Sequence, residues 1–321
     1  MNHDGRPPEG FAPAGRTSLW AARVRLALRS SRETWRAFAA NPIGVVGVAI
    51  ILIFGLMAVA HPLLMATLWD PTTYDPVTGF GFDEISHPAP PSWRHLLGTD
   101  PLGRDILSQL TASTTSAFVL GLVAALVTVG IATMVGALAA YYGGVVDAFF
   151  MRLADLIIIL PTISLLIVLT ALLGLNLFQL ALVLGVLGGF GGTAVVIKSQ
   201  ALSIKVKPYI EAAQLAGGGP WHIILVHIVP NLLPLSLLYM MFTVTGAIFS
   251  EAVLSFFGIL HIRMSWGIMI HTASTGGYLL GGASYWWLIV PAGAAITLLC
   301  SSFYLVGRAL DEVVNPRLRG R

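Results

Sequence analysis

Leu156–Ile197 reads LIIILPTISLLIVLTALLGLNLFQLALVLGVLGGFGGTAVVI, 42 consecutive residues without an acid or a base. A bilayer core of about 30 Å is crossed by about 20 apolar helical residues. The stretch is therefore sized for two crossing helices, and Gly174-Leu175-Asn176 near its middle supplies the turn between them. A transmembrane β-barrel would need strands of alternating polarity about ten residues long, and nothing in this run alternates.

Working outward, the same rule finds four more spans. Ile43–Ala60 is the first, with a continuation through His61-Pro62 to about Leu68. Ile106–Val146 is free of charge and holds one long helix, most apolar over Ser116–Ala140. Leu232–Phe257 ends the uncharged stretch that starts after Glu211, apart from Glu251, and Trp286–Val306 is the apolar part of the run between Arg263 and Arg308. The reading is an all-α polytopic membrane protein with six transmembrane helices. Composition agrees: of 321 residues, 56% are hydrophobic and 10% charged, where a soluble domain carries about 25% charged residues. Cys300 is the single cysteine, which excludes a disulfide scaffold.

Ala58-Val59-Ala60 resembles a signal-peptidase site, but the segment before the apolar run would be 42 residues long. Span one is therefore read as a signal anchor. The Lys and Arg residues of the loops set the orientation. Seven Arg in residues 1–42, Arg152, Lys198, Lys205, Lys207 and four Arg in the C-terminal tail fall on one side; Arg94, Arg104 and Arg263 fall on the other. Both termini are expected in the cytoplasm. The isoelectric point of about 9.2 is then a matter of topology and not of nucleic-acid binding.

Residues 1–42 read as a cytoplasmic tail with an interfacial amphipathic helix over 19–38, Trp20, Val24, Leu28, Ser31, Trp35 and Phe38 on one face and Arg25, Arg29, Arg32 and Arg36 on the other. Residues 43–321 form the membrane domain, with an external loop over 67–105. That loop ends in Gly98-Thr99-Asp100-Pro101-Leu102-Gly103-Arg104-Asp105, where Asp100 can cap a helix starting at Pro101.

The loop 198–231 carries the most information. Pro208-Tyr209-Ile210-Glu211-Ala212-Ala213-Gln214-Leu215 reads as a short helix, Gly217-Gly218-Gly219-Pro220 as a break, and Trp221–Val229 as a second short helix before Pro230 opens span five. A plain connector needs only a few residues. About thirty structured residues suggest a docking element, with Ala212 and Ala213 as its closely approachable face.

Here the chain resembles a family. Glu211-Ala212-Ala213, three residues, Gly217 and then Ile228-Val229-Pro230 match the signature loop of permease subunits of ABC importers. Further pieces match the C-type permease of the oligopeptide/dipeptide/nickel group, in order: Asn41-Pro42; Gly98-Thr99-Asp100 with Gly103-Arg104-Asp105; Tyr142-Gly143-Gly144 with Asp147, Met151-Arg152 and Asp155; Glu251–Gly258; Ser265-Trp266-Gly267; and Asn315-Pro316-Arg317-Leu318. The chain departs from the pattern at Val226, where a basic residue is usual, at Gly218-Gly219-Pro220, at Ile268 and across the Gly- and Tyr-rich 276–285.

The resemblance implies a type I ABC importer permease fold in a bacterial plasma (inner) membrane. It implies that Glu211, Ala212, Ala213 and Gly217 form a coupling helix docking on a cytosolic ATPase. It also implies a second six-helix permease, two ATPase subunits that bind ATP and Mg, and an extracytoplasmic solute-binding protein. The cargo would be peptides first, with nickel chelates, opines and oligosaccharides as alternatives. No Lys follows a Gly, so no phosphate loop is present and the chain is not read as an enzyme or as holding a cofactor.

Other chemistry is thin. No His-Glu-x-x-His occurs; His222 and His227 are five apart and read as loop-helix residues, His261 and His271 as interfacial polar groups. Arg152 and Asp155 read as a structural ion pair, and Cys300 as packing. Twenty helical residues separate Asn231 from Glu251, about 30 Å, which puts Glu251 near the outer interface, either in an outer gate with Ser255 and Trp266 or snorkelling to water. An ATP-independent channel or secondary transporter would show paired mid-membrane charges or matched broken helices, which the sequence does not display. An intramembrane hydrolase would need a nucleophile–base pair.

Overall fold

The structure is a computed structural model, and it describes residues 36, 38–84 and 86–314. The 19–38 helix therefore falls almost wholly outside the described residues. The main elements are α1 (Pro42–Thr67), α2 (Ile106–Tyr142), α3 (Gly144–Ile159), α4 (Thr162–Leu173), α5 (Leu177–Phe190), α6 (Gly192–Lys205), α7 (Pro208–Leu215), α8 (Pro220–Phe256), α9 (Trp266–Thr275) and α10 (Trp286–Val314). Among the described residues there is no strand, only an isolated bridge between Thr99 and Asp105.

Four helices are individually long and apolar enough to cross a membrane: α1, α2, α8 and the helical run Tyr278–Val313 that contains α10. The other two spans are broken. α3 and α4 meet at 87° across Leu160-Pro161, and α5 and α6 at 41° across Gly191. With each bent pair taken as one span the total is six. The turn expected at Gly174 is present: Gly174 closes α4 in the left-handed region at φ 60°, and Asn176 opens α5 with a capping box to Gln179.

α2 is the axis of the bundle, and three buried clusters are strung along it. Ile106, Leu110, Ala117 and Ala125 pack with α8, α9 and α10. Leu120 and Ala124 pack with Leu166, Leu180 and Ala181. Ala132–Ala140 packs with Ile197, Ile204, Ile223 and Leu232. Small residues make this possible, because membrane helices associate by close backbone approach and not by expulsion of water. A Cβ added at Gly185 would lie 2.6 Å from Val127, and one at Gly189 2.7 Å from Ile131. Where the helices touch, Thr128 donates to the Gly185 carbonyl at 3.2 Å, and the Thr133 and Ser236 hydroxyls pair at 2.7 Å.

Two sequence expectations are corrected here. The second helix of the 198–231 loop is not a separate piece. From Pro220 the chain runs into a π-helical turn, Ile223–Ile228, and on through Pro230 to Phe256. Pro230 sits in the first turn after the π segment, where its missing N–H and ring are tolerated. Asp100 caps no helix at Pro101. α2 starts at Ile106, and Asp105 is its cap, accepting from the Ser108 amide at 2.7 Å. The short helix α9 went unnoticed because its ten residues are too few for a hydropathy signal.

Candidate functional site

Chemistry gathers at the two ends of α2. At its C-terminal end, α7 packs against the bundle through Ile210. Ile210 is fully buried among Ile204 and Ile223, and this one anchor orients the helix. Glu211, Ala212, Gln214, Leu215 and Gly217 are exposed and Ala213 is half-buried. Leu215 is 90% exposed, an unusual position for a leucine beside a folded surface. Gly217 has φ 86°, as the break requires, and nothing lies within 4 Å of where its Cβ would stand. Of the four residues assigned to coupling, Glu211, Ala212 and Gly217 are thus open and Ala213 is half-covered.

The seat of α7 is held by residues the sequence reading counted only as charge. Lys205, the last residue of α6, donates through Nζ to the carbonyls of Ala140 (3.0 Å) and Tyr141 (2.8 Å) at the end of α2. Those carbonyls belong to the last turn, which has no intrahelical donors left. Lys198 pairs with Asp147 and so joins α6 to α3. Partners 51 to 65 positions apart leave no local signal. Arg152 and Asp155 do pair, at 3.5 Å on an open surface, a contact worth about 0–1 kcal/mol. His222 and His227 stack edge to face at 5.4 Å, and among the described residues no three His, Cys, Asp or Glu side chains group as a metal site.

At the other end the 67–105 segment is folded down by a buried polar layer. Asp100 is 4% exposed. It accepts from the amides of Leu102 (2.8 Å) and Arg104 (2.9 Å), from Arg104 Nε (2.7 Å) and from Gln109 (2.9 Å). Asp105 meets the His95 ring at 2.8 Å. Each glycine of the motif allows a turn, Gly98 and Gly103 both having φ 79°. Farther out, burial alone would raise the Asp75 carboxyl, but the Thr78 and Val77 amides and the charge of Arg263 hold it below the usual carboxylate range.

Glu251, Ser255 and Trp266 stand near this layer, and all three are buried. Ser255 donates to the Glu251 carboxylate at 2.5 Å, and Ser265 also faces that carboxylate. Snorkelling is therefore excluded: at 3% exposure Glu251 faces the interior of the bundle. The Trp266 indole donates to the Leu110 carbonyl at 3.1 Å and packs edge-on against Phe54. Gly267 lets α9 sit on α8, since a Cβ there would lie 2.4 Å from the Ala252 carbonyl. His271 meets the Phe256 carbonyl at 2.8 Å and fixes the end of α8.

The order and spacing of these pieces recur in known proteins. Residues 132–320 match the family described as binding-protein-dependent transport system inner membrane component. The chain belongs to that family. Residues 31–90 match the N-terminal transmembrane domain of oligopeptide transport permease C. This permease is 30% identical to the dipeptide transport system permease protein DppC of Bacillus subtilis over 99% of its own chain and 95% of that protein. It is 30% identical to the oligopeptide transport system permease protein OppC of the same organism, covering 98% of each. Against OppC of Haemophilus influenzae the identity is 34%, over 70% of this chain and 71% of the relative. The protein is thus a membrane permease component of a transport complex with other subunits, and not its catalytic part.

Proposed function

We propose that this permease forms half of the translocation pathway of an ATP-driven peptide importer. The observation that carries the reading is α7: a helix with Ile210 as its one buried residue, and with Glu211, Ala212, Leu215 and Gly217 open to a partner. Its exposed face suits the groove of a cytosolic ATPase, Glu211 pairing with a basic or amide group there. Peptide cargo is supported by the relatives, whose names specify dipeptide and oligopeptide transport. The other partners are a second six-helix permease, a second ATPase subunit and an extracytoplasmic binding protein that hands over the solute. ATP and Mg belong to the ATPase subunits. Both termini and α7 are cytoplasmic on this reading, and Glu251, Ser255 and Trp266 belong to a gate at the outer end. Membrane lipid surrounds the spans on this reading.

Co-purification with ATPase subunits and peptide uptake into proteoliposomes containing the whole complex test this directly. The purified chain alone should show no ATP turnover. Uptake of nickel chelates or oligosaccharides in place of peptides would move the cargo assignment and leave the importer. Single cysteines in a Cys300→Ser background test topology: Thr78→Cys should react with an impermeant reagent in intact cells and Ser203→Cys should not. Both side chains belong to exposed residues, so protection of Ser203→Cys reports its side of the membrane and not burial.

A further inference from the structure

The two helix breaks open onto one cleft of about 320 Å³, floored by α8. Ile157 and Thr162 reach it from the α3–α4 break, Gly191 and Gly192 from the α5–α6 break, and Gly246 and Ser250 from α8. Gly246 lies ten residues before the end of α8 at Phe256, about 15 Å along the axis, which is half the thickness of a bilayer core. Every residue lining the cleft is uncharged.

The backbone at this depth is not fully paired. Pro161 has no N–H, so the Ile157 carbonyl receives no helical donor. α4 begins without a side-chain cap, so its first amides, from Thr162 on, have no acceptor within the helix. Pro161 and Thr162 are exposed in this chain. Irregular backbone at membrane depth survives only where protein covers it or a water-filled cavity bathes it. The backbone of a neighbouring helix could not satisfy these groups, because its own ladder is already bonded; side chains, water or a chain without a ladder can. An extended peptide brings both free N–H groups and free carbonyls. The hydroxyls add acceptors: Thr243 and Ser250 give their protons to Tyr239 and Gly246 carbonyls at 2.9 and 2.8 Å, which leaves their oxygens with lone pairs to accept.

We propose that this cleft is a mid-membrane binding wall for the peptide main chain, built from two broken helices and a glycine floor. It rests on the reading of the cargo as peptide. Because the wall holds no charge, it prefers neither sign of charge among the cargo's side chains.

Gly192 and Gly246 are the places to test, since nothing lies within 4 Å of a Cβ at either. The complete complex with its binding protein, in proteoliposomes, is assayed for uptake of tri-alanine and for ATP hydrolysis. Gly246→Trp and Gly192→Trp should assemble, retain ATP hydrolysis and lose uptake. Gly55→Trp, equally open but on α1 beside exposed Leu52 and Leu56, should take up tri-alanine as wild type does. Wild-type uptake by Gly246→Trp overturns the proposal. So does failure of that variant to hold the second permease, which would make the cleft a subunit seam. Failure of the cargo reading shows separately, as a wild-type complex that takes up no tri-alanine, and removes the proposal with it.

Discussion

Lys205 Nζ lies 2.8 Å from the carbonyl oxygen of Tyr141. The ammonium closes the last turn of α2 with positive charge at the negative end of its dipole, and α7 begins three residues later. Lys205→Met should therefore lower thermal stability in detergent by about 1–3 kcal/mol, the value of charge-assisted bonds to otherwise unpaired carbonyls. Lys205→Arg should recover most of it. If Lys205→Met melts with the wild type, the contact holds nothing.

Gly217 at φ 86° stands in open space, so a side chain there meets no neighbour and only the backbone objects. A non-glycine residue in this region costs about 1–2 kcal/mol, and asparagine less than most. Gly217→Val should insert into the membrane normally yet lose transport and weaken ATPase docking, and Gly217→Asn should retain both in part. Glu211→Ala should lower transport while sparing basal ATP hydrolysis. Wild-type transport by Gly217→Val and Glu211→Ala alike would reduce the loop to a connector.

Asp75 gives the outer loop a pH dependence with a definite sign. Its carboxyl is held below the usual range, so the anion is the form that the folded turn favours. The contribution is complete above about pH 4, the ordinary carboxylate value, and is lost as pH falls through the lower folded value. Protection of the Val77 and Thr78 amides, taken relative to the intrinsic exchange rate at each pH, should fall over that acid window. In Asp75→Asn protection should be lower at neutral pH and flat across the window; an unchanged acid step in that variant would assign the titration elsewhere.

Glu251 offers a separation of packing from gating. Glu251→Gln keeps an acceptor for Ser255 and should melt within about 1 kcal/mol of wild type, whereas Glu251→Leu strands polar neighbours at about 1–3 kcal/mol. A gate role requires that Glu251→Gln transport more slowly although it folds. Full transport by Glu251→Gln would leave the carboxylate with a packing role alone.

The five apolar runs, the long α2 and the turn at Gly174 were legible because each depends on a contiguous property, apolar length or a local glycine. The position of Glu251 along α8 was legible too, but its orientation was not: facing Ser255 and Ser265 depends on α9, whose ten residues leave no hydropathy trace. Asp100 and Asp105 look alike as helix caps in sequence, and the choice between them is made by Arg104 and Gln109 folding back on Asp100. The breaks at Pro161 and Gly191 were written in the chain and hidden by hydropathy, which averages over them. In the loop 198–231 the first helix and the glycine break were legible, but the length of the second helix was not, since Pro230 looks like a boundary until the π turn before it is seen.

That continuity has a mechanical side. α8 has 37 residues in one piece, a strut about 55 Å long against a core of about 30 Å. A strut that overhangs the bilayer converts small rotations into useful travel: a tilt of about 5° about its middle sweeps each tip through about 2 Å. A nudge beside Trp221 at one tip thus reaches Phe256 and the His271 tether at the other with no unwinding between them, and the stiffness of the membrane-embedded length sets how much of the stroke arrives.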